Sequence, residues 1–113
     1  MGQFKRYFTV EEANELLPEL RDLLALVREG RDRMSLDLQA AAPVFRLAST
    51  NGGGKETHDY LNSLHSLNAR LQQLHDLGVQ LKDLDRGLVD FPAWREDREV
   101  LLCWHLGEES VQY

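Results

Sequence analysis

Apolar residues in the first half of the chain recur in steps of three and four, which places them on one side of a helix. They are Leu16, Leu20, Leu23, Val27, Met34 and Leu38. The stretch Thr9-Val10-Glu11-Glu12 has the pattern of a capping box, in which Thr9 and Glu12 each bond the other's backbone amide. We therefore predict a helix over residues 9–48.

Two prolines lie inside this predicted helix. Proline lacks the amide hydrogen that a helix interior needs, so it kinks or ends a helix. Pro18 lies too deep to be a first-turn residue. It either bends one helix or begins a second, and we favour a bend near Leu17. Pro43 predicts an end or a bend near Ala42.

A second helix is predicted over residues 57–77, with Gly78 as its C-terminal cap. Its apolar positions are Leu61, Leu64, Leu67, Leu71, Leu74 and Leu77. The stretch from Ser49 to Lys55 contains three consecutive glycines and predicts a flexible turn, since the flanking strand and spaced motif of a phosphate-binding loop are both missing. Helices joined by a short connection are antiparallel neighbours. The second helix matches the length of residues 27–47, which leaves residues 10–26 for the C-terminal region to cover.

The C-terminal region, residues 79–113, alternates apolar and polar positions and predicts an antiparallel β-meander. We expect strands from Val79 to Lys82, Leu88 to Pro92, Arg98 to Leu106 and Ser110 to Tyr113, and a further short strand over Phe4 to Phe8. In the strand from Arg98, alternate residues share a face. Val100, Leu102, Trp104 and Leu106 should face the first helix, and Glu99, Leu101, Cys103 and His105 should face away.

The predicted fold class is α+β in one domain, residues 1–113. It consists of a long antiparallel helical hairpin with a kinked N-terminal helix, packed on a small antiparallel β-meander. A chain of 113 residues is too short for two cores.

Charge and composition exclude several classes of partner. The 13 basic and 19 acidic residues give a net charge of −6, which repels phosphate backbones and makes nucleic acid an improbable partner. No apolar run is long enough to span a membrane. One cysteine forms no internal disulfide, which fits a reducing cytoplasm. We expect a cytoplasmic protein.

Three groups of residues carry a resemblance to a known family. They are Tyr7 to Asn14 with Leu16-Leu17-Pro18, then Lys82-Asp83-Leu84 with Gly87 to Pro92, then Leu102-Cys103-Trp104 with Leu106-Gly107-Glu108. With these the chain resembles the bacterial "domain of unknown function 2203" family. The resemblance implies no activity, because that family has none established. Members of it continue past the last strand into a C-terminal tail that this chain lacks.

Cys103 and His105 lie two apart on one strand face, a spacing that suits a soft or borderline metal ion. Asp90, with Glu99 or Glu108, would supply a third ligand. The competing interpretation is that Cys103 packs as a small buried hydrophobe and His105 lies on the surface. We favour this second interpretation and expect no cofactor.

A polar group lies in and beside the predicted turns: Lys82, Asp83, Arg86 and Asp90, with Arg95 and Glu108 as further candidates for ligand binding. Paired acids and bases here would suit general acid–base chemistry. Aspartates in such turns also cap the backbone, and their basic neighbours form surface ion pairs. We favour the structural interpretation.

Two functional hypotheses follow. The first is a non-enzymatic interaction or scaffold protein that forms a homodimer through the helical hairpin and binds an unidentified protein partner. It is motivated by apolar residues beside the main stripes, namely Leu17, Leu24, Leu36 and Tyr60. The second is a ligand- or metal-binding protein, or a small enzyme, with its site in the 82–90 loop and the 103–108 strand end. We favour the first hypothesis and expect no catalytic residues.

Overall fold

The computed structural model describes residues 2–47 and 54–112. Helix α1 spans Val10–Leu47 and helix α2 spans Lys55–Asp76; strands β1, β2 and β3 span Gln80–Asp83, Leu88–Arg95 and Arg98–His105. The strands form one antiparallel sheet in the order β1-β2-β3. The predicted α+β class is confirmed. The turn predicted from Ser49 lies mostly outside the described residues, since 48–53 are not among them.

Helix α1 begins as the capping box predicts. The Thr9 amide donates to the Glu12 carboxylate at 2.9 Å, and the Glu12 amide donates to the Thr9 hydroxyl at 3.0 Å. Because the charged carboxylate accepts from the backbone amide and then the side chain of Thr9, the pKa of Glu12 lies below its ordinary value.

Neither proline ends this helix. Helix α1 runs through Pro18 and Pro43 without interruption, so the alternatives of a second helix at Pro18 and of an end near Ala42 are wrong. Both prolines are exposed. A carbonyl that loses its helical donor on the exposed side of a helix can bond to water, so the missing amide costs less there.

The chain divides into two compact units. The first, here called the sheet unit, contains residues up to Ala25 and from Gln72 onward. The second, here called the hairpin unit, is Leu26–Leu71. Helices α1 and α2 each contribute to both.

The core of the sheet unit lies between the first part of α1 and one face of the sheet. From the helix come Ala13, Leu17, Leu20 and Leu24, and from the sheet Val89, Phe91, Leu102 and Trp104, all buried. The prediction that the Trp104 face of β3 packs on the first helix is confirmed. The same sheet face also covers Leu17 and Leu24, which are 2% and 0% exposed. Their predicted place beside the helix–helix contact is therefore wrong.

The predicted strand over Phe4 to Phe8 is absent. These residues are irregular, and one backbone bond joins them to the sheet, from the Phe8 amide to the Pro92 carbonyl at 2.7 Å. Pro92 lies in the central strand and has no amide hydrogen to donate. No hydrogen bond of the sheet is lost, because the backbone of Pro92 points away from β3, toward the side on which β1 has already ended. Phe8 is buried and packs edge-on against Phe91.

The predicted strand from Ser110 is also absent from the described residues, where 110–112 form no ladder. Side chains of α1 hold this segment instead. The Asn14 amide group donates to the Val111 carbonyl at 3.2 Å and accepts from the Val111 amide at 2.6 Å, and Arg21 donates to the carbonyls of Glu108 and Glu109. One asparagine thus satisfies both backbone groups of the residue, as a neighbouring strand would.

In the hairpin unit the two helices are antiparallel, as predicted. Gly30 lies against Leu67, the Ser63 hydroxyl donates to the Asp37 carboxylate, and Phe45 packs edge-on against Tyr60. From Gly30 to Phe45 along α1, the contacting residues of α2 run in the reverse order, from Leu67 back to Tyr60. Val27, Ala41 and Leu67 are buried here. Within the described residues, neither helix has the length and apolar character needed to cross a lipid bilayer.

Candidate functional site

Asp90 is the one charged residue buried among the described residues, at 8% exposure. It lies in β2, opposite Gln80 of β1 and Cys103 of β3. The Lys82 ammonium lies 3.8 Å from its carboxylate, and the Cys103 thiol donates a hydrogen bond to it. The structure therefore brings together three of the predicted site residues, Lys82, Asp90 and Cys103, on the sheet face away from α1.

The thiol of this group is not activated. The pKa of Cys103 is raised above its ordinary value, first by partial desolvation and then by the charge and hydrogen bond of Asp90. The thiolate is the nucleophile and the metal ligand, and reactive cysteines have lowered pKa values. Cys103 is nevertheless exposed, so the expectation that it packs in the core is wrong. The reason is its position: even-numbered residues of β3 face the helix, and Cys103 faces away.

In the turn between β1 and β2, Asp83 and Arg86 interact with each other. Asp83 accepts a hydrogen bond from the Arg86 amide at 3.2 Å, and its carboxylate lies 3.6 Å from the Arg86 side chain. Gly87 ends the turn with a φ of 63°, and its amide donates to the Leu84 carbonyl. This agrees with the structural interpretation, in which an aspartate caps a turn and pairs with a surface arginine.

The remaining predicted ligand-binding residues lie at the two ends of the sheet. Arg95 is at the far end of β2, opposite Arg98. Five residues of strand, about 16 Å, separate it from Asp90. Glu108 accepts a hydrogen bond from the His105 amide at 2.9 Å and lies 3.6 Å from its imidazole. The predicted ligand-binding residues thus fall into four groups, which are Lys82 with Asp90, Asp83 with Arg86, Arg95, and Glu108.

The described residues contain no group of three or more His, Cys, Asp or Glu side chains placed to hold a metal ion. Cys103 and His105 share a strand face, as predicted, but each is bonded locally: Cys103 to Asp90, and His105 to the Leu106 carbonyl and Glu108.

A depression of about 310 Å³, which the sequence did not indicate, lies between the first turn of α1 and the sheet. Its lining includes Tyr7, Thr9, Glu12 and Trp94. Thr9 and Glu12 bond each other, and the Tyr7 hydroxyl donates to Glu99. Desolvation and that bond raise the pKa of Tyr7. Glu11 also lines the depression, but with the groups of Tyr7, Thr9 and Glu12 already bonded, one further carboxylate is not the converging set of polar groups that a ligand site needs.

The hairpin unit carries the more informative surface. Each residue of a helix is rotated by about 100° from the one before, and the contacts at Gly30, Asp37 and Phe45 fix which side of α1 faces α2. On one side of the hairpin, here called the apolar side, exposed or half-buried apolar residues of both helices lie next to each other. They are Leu38, Ala42 and Phe45 of α1, and Tyr60, Leu64 and Leu71 of α2.

The opposite side of the hairpin is mainly polar, with Leu26 as an exposed apolar residue at 39%. Asp37 accepts from Ser63 and lies 3.7 Å from Arg33, and the Lys55 ammonium lies 2.8 Å from the Asp59 carboxylate. Their hydrogen bond raises the pKa of Lys55 and lowers that of Asp59. The two sides of one hairpin therefore differ sharply in chemistry. The sequence analysis predicted Tyr60 as a residue of the association surface but did not predict Leu38, Phe45 or Leu64. It assigned the two leucines to the helix–helix contact and did not consider Phe45.

One family model matches the chain. It is described as "Uncharacterized conserved protein (DUF2203)" and matches residues 6–113. The chain belongs to this family. Neither curated proteins nor solved structures gave a match.

In this DUF2203 chain, the residues that carried the resemblance have structural contacts. Asn14 holds Val111, and the Trp104 indole donates to the Glu108 carbonyl at 3.1 Å. Gly87 takes a positive φ directly against Leu106. Asn14 thus joins the first helix to the C-terminal segment, and the contacts of Trp104 and Gly87 lie within the C-terminal region.

Proposed function

We propose that this DUF2203 protein is a non-enzymatic interaction protein, located in the cytoplasm, that forms a homodimer through the apolar side of its helical hairpin. The observation that carries the proposal is the concentration of exposed apolar side chains on one side of the hairpin unit. Leu38 and Phe45 are 40% and 44% exposed there, and Leu61 at its margin is 53% exposed. Leu26 and Leu36, at 39% and 58% exposure, are exposed leucines of the unit that lie off this side. Soluble proteins seldom leave such contiguous patches open, because burying apolar area stabilises association.

The size of the apolar side suits a dimer. The 22 residues from Leu26 to Leu47 span about 33 Å at 1.5 Å per residue, and two helices side by side are about 20 Å wide. One side of the hairpin therefore offers on the order of 600 Å² per copy, or about 1,200 Å² in a dimer, the lower end of the range for specific interfaces.

A second copy is the occupant that this surface fits best. Every molecule carries the same apolar side, and a twofold axis through it brings two hairpins together as a four-helix bundle. Most charged groups of the hairpin lie on the other side, around Asp37 and Asp59. Arg31 lies on the apolar side by its rotation about the helix and is paired with Asp32 at 3.1 Å. Two apolar sides can therefore meet without burying an unpaired charge.

The sheet unit supports an enzymatic role less well. Its buried group at Asp90 pairs with Lys82 and with a thiol whose pKa is raised, and its turn carboxylate Asp83 is bonded within the turn. Neither arrangement supplies the free acid–base pair that catalysis requires.

The test compares the molar mass of matched variants. Light scattering at micromolar concentration should give twice the 13.0 kDa chain mass for the parent. Leu38→Glu and Phe45→Glu place a charge on the apolar side and should give monomers. Leu36→Glu is the control, because Leu36 is 58% exposed on the same helix but points away from both α2 and the apolar side. It should leave the dimer intact.

A parent mass that stays at the monomer value as concentration rises would overturn the proposal. So would equal loss of the dimer in Leu36→Glu and Leu38→Glu, because the contact would then not map to the apolar side.

A further inference from the structure

Strand β3 forms an outer edge of the sheet, since the strand order is β1-β2-β3. In an antiparallel pair, backbone groups alternate between pointing at the partner strand and pointing away. The Leu106 amide donates to the Gly87 carbonyl at 3.2 Å, which fixes the alternation: Leu106, Trp104, Leu102 and Val100 point to β2. The backbone groups of Glu99, Leu101, Cys103 and His105 therefore point outward.

Three of these four residues have open backbone groups. The His105 amide already donates to the Glu108 carboxylate. Within residues 2–47 and 54–112, no hydrogen bond engages the backbone amides of Glu99, Leu101 or Cys103. Leu101, at the centre of the three, is 43% exposed. Natural sheets usually protect such an edge with a proline, a bulge or a covering segment.

The charges around this edge are mainly negative. Glu96, Asp97 and Glu99 lie at one end of β3, and Glu108 and Glu109 follow its other end, against Arg95 and Arg98 and against Arg21, which donates to the carbonyls of Glu108 and Glu109. Glu99 accepts from the Tyr7 hydroxyl and the Gln3 amide through one carboxylate oxygen. An open edge with an apolar centre and acidic ends is complementary to an extended basic segment.

We propose that the outer edge of β3 binds an extended segment of a partner protein as an added strand, with an apolar side chain against Leu101 and Lys or Arg near Glu99 and Glu108. This site lies wholly within the sheet unit and does not depend on dimerisation through the hairpin. A second copy of β3 is a poorer occupant, because it brings the same carboxylates to an edge that is already acidic.

Amide exchange measured by NMR tests the free edge directly. In the parent protein, exchange along β3 should alternate: fast at Glu99, Leu101 and Cys103, and slow at Val100, Leu102 and Trp104. Slow exchange at the first three residues would overturn the proposal, because the edge would already be covered. If their exchange slows as protein concentration rises, a second copy occupies the edge and the proposal is likewise wrong.

Binding is tested with a capped seven-residue peptide of the sequence Thr-Lys-Thr-Val-Thr-Lys-Thr. This order places the valine opposite Leu101 and the two lysines opposite Glu99 and Cys103 on the same face. The lysine opposite Cys103 is then two residues short of His105, which Glu108 contacts. The peptide should slow exchange at Glu99, Leu101 and Cys103. A matched peptide with glutamates in place of the lysines should bind at least about tenfold more weakly. Equal binding of the two peptides, or unchanged exchange at the three amides, would contradict the proposal.

A substitution in the protein isolates the backbone contribution. Leu101→Pro removes an outward amide without removing a bond to β2, as Pro92 does on the other side of the sheet, and should abolish binding. Leu101→Thr keeps the amide and should retain binding at reduced affinity. If Leu101→Pro does not fold, an N-methylated central valine in the peptide replaces it on the ligand side, and retained binding of that peptide overturns the proposal.

Discussion

Helix α1 is covered by its neighbours to different extents in the sheet unit and in the hairpin unit. In the sheet unit, α1 presents Leu17, Leu20 and Leu24 to a sheet, and all three are at most 2% exposed. In the hairpin unit the same helix leaves Leu36 and Leu38 at 58% and 40% exposure. A sheet covers a broad arc of a helix, whereas one partner helix covers only a stripe of it. The apolar surface available for association is therefore concentrated in the hairpin unit.

The two units also differ in how their polar groups are bonded. Several bonds in the sheet unit join residues far apart in sequence, such as Asn14 with Val111 and Arg21 with Glu109, beside local ones such as Asp83 with Arg86. Two of the three ion pairs described in the hairpin unit, Arg33 with Asp37 and Lys55 with Asp59, join residues four apart on one helix. Such helix-surface pairs contribute a few tenths of a kcal/mol. We therefore expect single substitutions to cost more in the sheet unit, and four experiments test this.

The largest effect is expected at Trp104, which has no exposed surface. Trp104→Ala should lower the free energy of unfolding by about 3–5 kcal/mol, since it leaves a cavity in the core. Trp94→Ala is the control: this residue is 45% exposed and stacks on Tyr7 with 4.9 Å between ring centroids. It should cost about 1 kcal/mol. Equal losses on urea unfolding would show that the core of the sheet unit is not where the structure places it.

The next effect concerns two glycines with positive φ. A Cβ added to Gly87 would lie 2.6 Å from the Leu106 side chain, whereas one added to Gly107 would meet nothing within 4 Å. Both alanine variants have a strained backbone. Gly87→Ala adds a clash and should cost about 1–3 kcal/mol more than Gly107→Ala. If thermal unfolding shows no difference between the variants, Leu106 is free to move aside and the turn tolerates a side chain.

A smaller effect is expected at the capping box. Thr9→Ala should cost about 1 kcal/mol near neutral pH, because the first turn of α1 loses a hydrogen-bond acceptor. The folded-state pKa of Glu12 is lowered from 4.5 by its bonds to Thr9. The contribution of the carboxylate is thus complete above pH 4.5 and is lost as pH falls through the folded value. The difference between parent and Thr9→Ala should shrink below that pH, and a constant difference would contradict this account.

Local patterns predicted the helices, the strand facing of β3 and the capping box, because each depends on neighbouring residues. The predicted strand from Ser110 failed for a non-local reason: the Asn14 side chain bonds both backbone groups of Val111, so no strand is needed there. The helix predicted over residues 9–48 is confirmed as α1, and only the alternatives of a second helix at Pro18 and an end near Ala42 failed. Proline chemistry predicts a break in isolation, but a helix with partners along its length can tolerate a missing bond on its exposed side.

The candidate site could be predicted only in part. Strand alternation correctly placed Cys103 and His105 on one face, and the sequence pointed to Asp90. It offered Asp90 as a third ligand beside Cys103 but did not place the two directly opposite each other, since cross-strand register depends on turn geometry. The apolar side of the hairpin was also obscured, because a leucine repeat alone does not show which leucines a partner helix covers.

The smallest effect is expected at Leu36 in the hairpin unit. Leu36→Ala removes a side chain that is 58% exposed, so the free energy of unfolding should change by no more than about 0.5 kcal/mol. Leu24→Ala makes the same chemical change on the same helix at a position with no exposure and should cost about 2–5 kcal/mol. Urea unfolding of the two variants at equal protein concentration measures the difference. A loss at Leu36 as large as at Leu24 would mean that this part of α1 is buried in solution, and the proposed dimer would then have to use the Leu36 surface in place of the apolar side.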